Sequence, residues 1–168
     1  AYDKNRDGAI AGDELTAAPG LKAGLAQVDA DNNRRVTPAE VDARVAEWVA
    51  SRIGEMPVRC HVTLDGSPLA NATVTFDPEP FLGPNVRPAS GTTGPTGVAG
   101  ISLAKEHLAD PKFGGVACGW YKIRVTSAAR PLPARYNTAT VLGCEVAMDA
   151  HWVSESEVRL DLTTGDVK

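Results

Sequence analysis

Asp3, Asn5, Asp7 and Glu14 occupy the first, third, fifth and twelfth positions of one short stretch, and Asp29, Asp31, Asn33 and Glu40 occupy the same positions of a second. Oxygen donors at this spacing suit Ca2+, a hard cation that takes about six to eight oxygen ligands. Short Asp and Asn side chains on alternate residues of a tight loop converge on one point, and the longer Glu closes the sphere from the residues that follow. Ala9 and Arg35 fall at the seventh position, where the main-chain carbonyl supplies a ligand. Gly8 stands at the sixth position of the first stretch, where the backbone must turn sharply. Arg34 stands there in the second, so a bulky residue has to take the left-handed conformation at a cost of about 1 kcal/mol. Arg34 and Arg35 also bring positive charge towards the second site. The first loop is therefore expected to bind the tighter of two ions.

With these residues in place, Asp3–Glu14 and Asp29–Glu40 resemble a pair of EF-hand calcium loops. The resemblance implies Ca2+ as cofactor, held by Asp3, Asn5, Asp7, Ala9 and Glu14 in one loop and by Asp29, Asp31, Asn33, Arg35 and Glu40 in the other. It also implies a short two-stranded bridge between Ile10 and Val36, the eighth positions. An ordinary hand has a helix in front of its loop, and Asp3 is preceded by two residues, so a longer precursor is expected. Dockerins lack that helix too, but they use Asp at the twelfth position, where this chain has Glu14 and Glu40.

The segments that must hold these loops read as helices. After Glu14 a helix is broken within about two turns by Pro19-Gly20. Leu21, Leu25 and Val28 then recur at the spacing of a helix entering the second loop. Thr37, Pro38 and Glu40 form a Thr-x-x-Glu capping box opening the second exit helix. Its apolar face is Val41, Val45, Trp48, Val49 and Ile53, with Trp48 expected in the core against Leu15, Leu21 and Leu25.

Around Gly54-Glu55-Met56-Pro57 the composition changes. Ten of the twelve prolines lie from Pro57 onward, and the apolar period drops from 3.6 to 2. A boundary here gives two domains, residues 1–53 and 58–163. Val58–Leu64, with an Asp65-Gly66 turn, reads as a strand, as do 72–76, 98–103, 120–126, 139–148 and 157–162. The Pro- and Gly-rich segment 77–95 reads as an extended loop or weak edge strand.

Val62–Phe76, with its Gly66-Ser67-Pro68-Leu69 turn, resembles the opening of the carboxypeptidase-regulatory-like family. Gly94–Ile101, Gly119–Val125 and Leu132–Asn137 are similar to its later segments. The fold implied is α+β and multidomain: a small helical EF-hand pair followed by a seven-stranded antiparallel transthyretin-like (prealbumin-like) Greek-key β-sandwich. The family implies a non-catalytic role, and the combination of modules is similar to secreted planctomycete proteins.

The residues agree with a non-enzymatic reading. His61, His107 and His151 lie on separate elements, the chain ends Thr163-Thr164-Gly165-Asp166-Val167-Lys168 rather than in Tyr-Arg-Gly-Ser, and no Gly-x-Ser-x-Gly elbow or phosphate-cradling glycine loop occurs. A formal net charge of −4 without a basic run excludes nucleic acid as the expected partner. No apolar run approaches the ~20 residues of a membrane span. Cys60, Cys118 and Cys144 match no zinc or redox motif, and Cys118–Cys144 is the favoured disulfide, with Cys60 buried. The expectation is a secreted or periplasmic calcium-binding protein acting in protein binding or assembly. Two narrower roles stand beside it: a subunit of a surface layer or filament, and a dockerin-like plug for a partner module.

Overall fold

The structure is a computed structural model and describes residues 2–165. Its strands are β1 (Ile10–Ala11), β2 (Arg35–Val36), β3 (Glu55–Met56), β4 (Val58–Leu64), β5 (Ser67–Pro68), β6 (Ala72–Pro78), β7 (Ala89–Thr92), β8 (Val98–Ile101), β9 (Val116–Ala117), β10 (Gly119–Ser127), β11 (Gly143–Val146) and β12 (Val158–Leu162). The α-helices are α1 (Asp13–Ala17), α2 (Pro19–Ala23), α3 (Leu25–Val28) and α4 (Pro38–Ser51).

The expected fold class is overturned. Among the described residues the strands form several small sheets rather than a seven-stranded antiparallel transthyretin-like sandwich, and the four short helices do not form an EF-hand helical pair. One four-stranded sheet has the order β11-β10-β6-β7. In the other, β4 is flanked by β12 on one side and by β5 and β8 on the other. Two-stranded pairs β1–β2 and β3–β9 complete the set. The last strand also breaks the antiparallel rule, because β12 runs parallel to β4 with Leu160 opposite Val62.

The helices are short for reasons written in the chain. Pro19 cannot continue α1, so Ala18 closes it and Pro19 opens α2 in the first position that proline tolerates. The stripe Leu21, Leu25, Val28 is divided at Gly24 into α2 and α3 instead of forming one helix. Only α4 runs to 14 residues, and it has the expected capping box, with Thr37 and Glu40 bonding each other's main chain.

Local signals set the sheets well. Val58, Cys60, Val62 and Leu64 are all buried on one face of β4. Asp65 and Gly66 both take positive φ, 51° and 78°, the form a two-residue hairpin between β4 and β5 requires. In the segment 77–95 the edge strand β7 forms beside β6, and a bridge between Ser90 and Ser102 joins the two larger sheets at one corner.

One hydrophobic core runs through the molecule: Tyr2, Leu15, Leu21 and Trp48 belong to the same buried cluster as Val62, Phe76, Ile123 and Leu160. Docking of the N-terminal helices depends on glycine. A Cβ on Gly20 would lie 2.6 Å from the main-chain N of Tyr121, and Gly143 and Gly24 leave room in the same way for Pro19 and the Trp120 indole. With α2 covering the second face of β10, Trp120 and Tyr121 are both fully buried, although they point to opposite sides of the strand. Trp48 therefore packs on Trp120, ring centroids 4.4 Å apart, a partner not expected from the sequence.

The expected Cys118–Cys144 disulfide is absent: all three cysteines are free thiols, and burial pushes Cys60 up to about 12. Among the described residues no helix is long and apolar enough to cross a membrane.

Candidate metal-binding loops

Two loops of matching geometry are built from the residues singled out by spacing. In the first, Asp3 accepts hydrogen bonds from the main-chain N–H groups of Asp7 (3.1 Å) and Gly8 (3.0 Å). In the second, Asp29 accepts from Asn33 (3.1 Å) and Arg34 (2.7 Å), the same positions. The fifth-position side chain accepts from the seventh-position N–H in both, Ala9 to Asp7 and Arg35 to Asn33. The third-position oxygen, on Asn5 or Asp31, accepts from the fifth-position N–H. The twelfth-position carboxylate reaches back to the second-position N–H, Glu14 to Lys4 at 2.7 Å and Glu40 to Ala30 at 3.1 Å. Each loop thus winds around its own acids.

The turns match as well. Gly8 and Arg34 at the sixth position have φ of 84° and 62°, so Arg34 adopts the left-handed conformation expected of it. Arg6 and Asn32, at the fourth, also have positive φ. β1 and β2 join the loops, with Ile10 opposite Val36. Val36 and Ala9 are buried, as are Glu14 and Asp29, so each loop is anchored from beneath by apolar contacts and one carboxylate.

The loops differ in how their acids converge. One oxygen from each of Asp29, Asp31 and Glu40 lies within 4.8 Å of the others. Two oxygens each about 2.4 Å from a shared calcium ion are at most about 4.8 Å apart, so this triad fits one ion. Among the described residues Asp3, Asp7 and Glu14 form no such triad. Asp7 is instead held by Arg35, whose Nη2 lies 3.0 Å from Oδ2. Asp7 is held below the usual carboxylate range, first by the Ala9 N–H and then by that guanidinium. Glu40 is lowered chiefly by the Thr37 N–H, which its Oε2 accepts while Oε1 takes Ala30.

Buried charges tie these loops to the sheets, and nothing in the sequence pattern pointed to them. Glu79, just after β6, accepts from Tyr2 Oη (2.6 Å) and from the Gly20 N–H (2.9 Å), with Lys122 Nζ 3.9 Å away. Burial pushes its carboxyl up, against those donors. Arg44 on α4 is buried and bonds Glu145 at 2.8 Å, Glu47 at 2.8 Å and both oxygens of Asp149. Glu145 is likewise raised by burial, with Arg44 opposing. Among the described residues its Oε2 and the Trp120 indole N–H have no well-aligned hydrogen bond, while the Trp48 indole lies close enough to the Glu145 carboxylate to favour its charged form.

The exposed side of α4 lines an open groove of about 570 Å³ between Val41, Val45 and Val49 and the facing Phe81, Leu82 and Val86. Val49, assigned by its spacing to the apolar face of this helix, is 72% exposed. The three histidines remain apart: His61 lies on β4, His107 in a 3-10 turn at 105–107 and His151 in another at 151–155. No family model, curated protein or solved structure matches the chain.

Proposed function

We propose that this chain is a calcium-binding protein in which the loops 3–14 and 29–40 each take one ion and fasten the N-terminal segment onto the β-sheets. The observation that carries the reading is the repeated scaffold: first, third, fifth and twelfth side chains accept from equivalent N–H groups in both loops. The donors are hard oxygens. Asp29, Asp31 and Glu40 are already close enough to share one ion. A flexible, many-oxygen set with a bidentate Glu favours Ca2+ over the smaller Mg2+, which demands near-ideal octahedral geometry.

The role is structural and non-catalytic. Binding to the folded chain alone adds stability by mass action. Loops of this kind that bind in the millimolar range suit an extracellular or periplasmic setting, where calcium is abundant. Calorimetric titration tests the reading: two calcium ions should bind in excess Mg2+, one in Glu14→Gln or Glu40→Gln, and none in the double variant. Equal heats from Mg2+, or calcium binding that survives the double variant, would refute it.

A further inference from the structure

We infer that Arg35 sets the order in which the two loops fill, the second before the first. The inference rests on the calcium reading and adds a residue that controls it. Arg35 belongs to the second loop, and its main-chain carbonyl is that loop's seventh-position donor. Its side chain, however, crosses to the first loop. There Nη2 sits 3.0 Å from Oδ2 of Asp7, the first loop's fifth-position carboxylate. The pairing of β1 with β2 sets this placement, because Arg35 lies opposite Ala11 and so projects alongside the neighbouring loop.

The consequence for charge is unequal. The same Asp7 oxygen also accepts from Asn5 Nδ2, and Oδ1 accepts from Ala9 N, so both oxygens are engaged. An ion in the first loop must share Asp7 with a fixed guanidinium. In the second loop the fifth position is the neutral Asn33, and among the described residues no cation pairs with Asp29, Asp31 or Glu40. A unit positive charge roughly 6 Å from a divalent ion lowers its affinity about tenfold in bulk-water dielectric without salt, and about threefold once physiological ionic strength screens this exposed pair. Arg34's left-handed turn acts differently, as a cost of folding the second loop rather than a charge placed on a ligand. The order is thus the reverse of the one expected from Gly8 against Arg34 and from the charges of Arg34 and Arg35, because the Arg35 side chain turns to the first loop.

The test uses two amides that report the sites separately. Gly8 N–H donates to Asp3 and Arg34 N–H to Asp29, so each senses an ion polarising its own first-position carboxylate. In a calcium titration followed by NMR at fixed ionic strength, the residue-34 amide should saturate before Gly8. Arg35→Gln keeps the main-chain carbonyl and should tighten the Gly8 response about threefold at physiological ionic strength and more at low salt, leaving the residue-34 midpoint nearly in place. Arg35→Lys should retain the wild-type order, and Arg34→Gln, which removes equal charge away from Asp7, should leave the Gly8 midpoint in place. Gly8 saturating first in the wild type, or equal effects of Arg34→Gln and Arg35→Gln, overturns the inference while leaving calcium binding intact. A protein in which neither amide responds overturns the calcium reading and this inference together.

Discussion

Tyr2 Oη donates a 2.6 Å hydrogen bond to Glu79 Oε2, joining the residue before the first loop to the strand end at β6. The second oxygen of Glu79 takes the Gly20 N–H from α2. One carboxylate therefore fastens both the start of the first loop and the helix after it. Replacing it with alanine orphans two buried donors, each at about 1–3 kcal/mol. Glu79→Ala should lower the unfolding free energy by about 2–5 kcal/mol in chemical denaturation, and a loss below 1 kcal/mol would show that the latch carries no load.

Close approach at Gly20 gives a second prediction. A methyl group there meets the Tyr121 backbone at 2.6 Å, inside a sheet that cannot yield, so α2 must lift. Gly20→Ala should cost about 1–3 kcal/mol. Gly100→Ala, where nothing lies within 4 Å, is the matched control and should stay within about 0.5 kcal/mol of the wild type. Equal costs at both sites would rule out the close-packing explanation.

Arg44 and Glu145 form a buried ion pair, and removing one partner strands the other. Arg44→Ala should cost about 3–5 kcal/mol, whereas an apolar pair, Arg44→Met with Glu145→Leu, should recover most of the loss. A double variant as unstable as the single one would assign the cost to packing around Trp48 instead.

The buried carboxyls also fix a pH dependence. Burial raises Glu79 and Glu145 above the ordinary glutamate value of 4.5. Between that value and their raised values the folded chain binds more protons than the unfolded one, so stability falls as pH rises through this window. Asp7, Glu40 and Asp149 are lowered, so they act in the opposite sense and at lower pH, losing their contribution as pH falls through their folded values. With chelator present, the wild type should lose stability as pH rises above the ordinary glutamate value of 4.5, and the Glu79→Gln, Glu145→Gln double variant should not. An identical slope in both would contradict the assignment.

What the sequence made legible is what short spacing determines. The loop scaffold was readable because its hydrogen bonds join residues at most ten apart, as from Lys4 to Glu14. β4 and the inner face of β10 followed from alternation, and the β4–β5 turn from Asp65-Gly66. The rest depends on partners far along the chain. Arg44 meets Asp149 across 105 residues and Tyr2 meets Glu79 across 77, and neither charge stands out in its own segment. Leu21, Leu25 and Val28 had the period of one helix, but the approach of Gly24 to Trp120 bends the chain between α2 and α3. The parallel pairing of β12 with β4 has no local signature at all, and the antiparallel sandwich implied by the resemblance of Val62–Phe76 is not formed.

If calcium in the two loops fastens the N-terminal segment to the sheets, unfolding must depend on the ion. Because Tyr2, Leu15, Leu21 and Trp48 share a core with Phe76 and Ile123, the N-terminal segment and the sheets should melt together. Scanning calorimetry in chelator and in calcium about a hundredfold above Kd should show one transition, moved upward by about 2.7 kcal/mol of stability for each filled site. The Glu14→Gln, Glu40→Gln double variant should melt at the same temperature in both. A wild-type transition that calcium does not move, or a shift that persists in the double variant, would contradict the account.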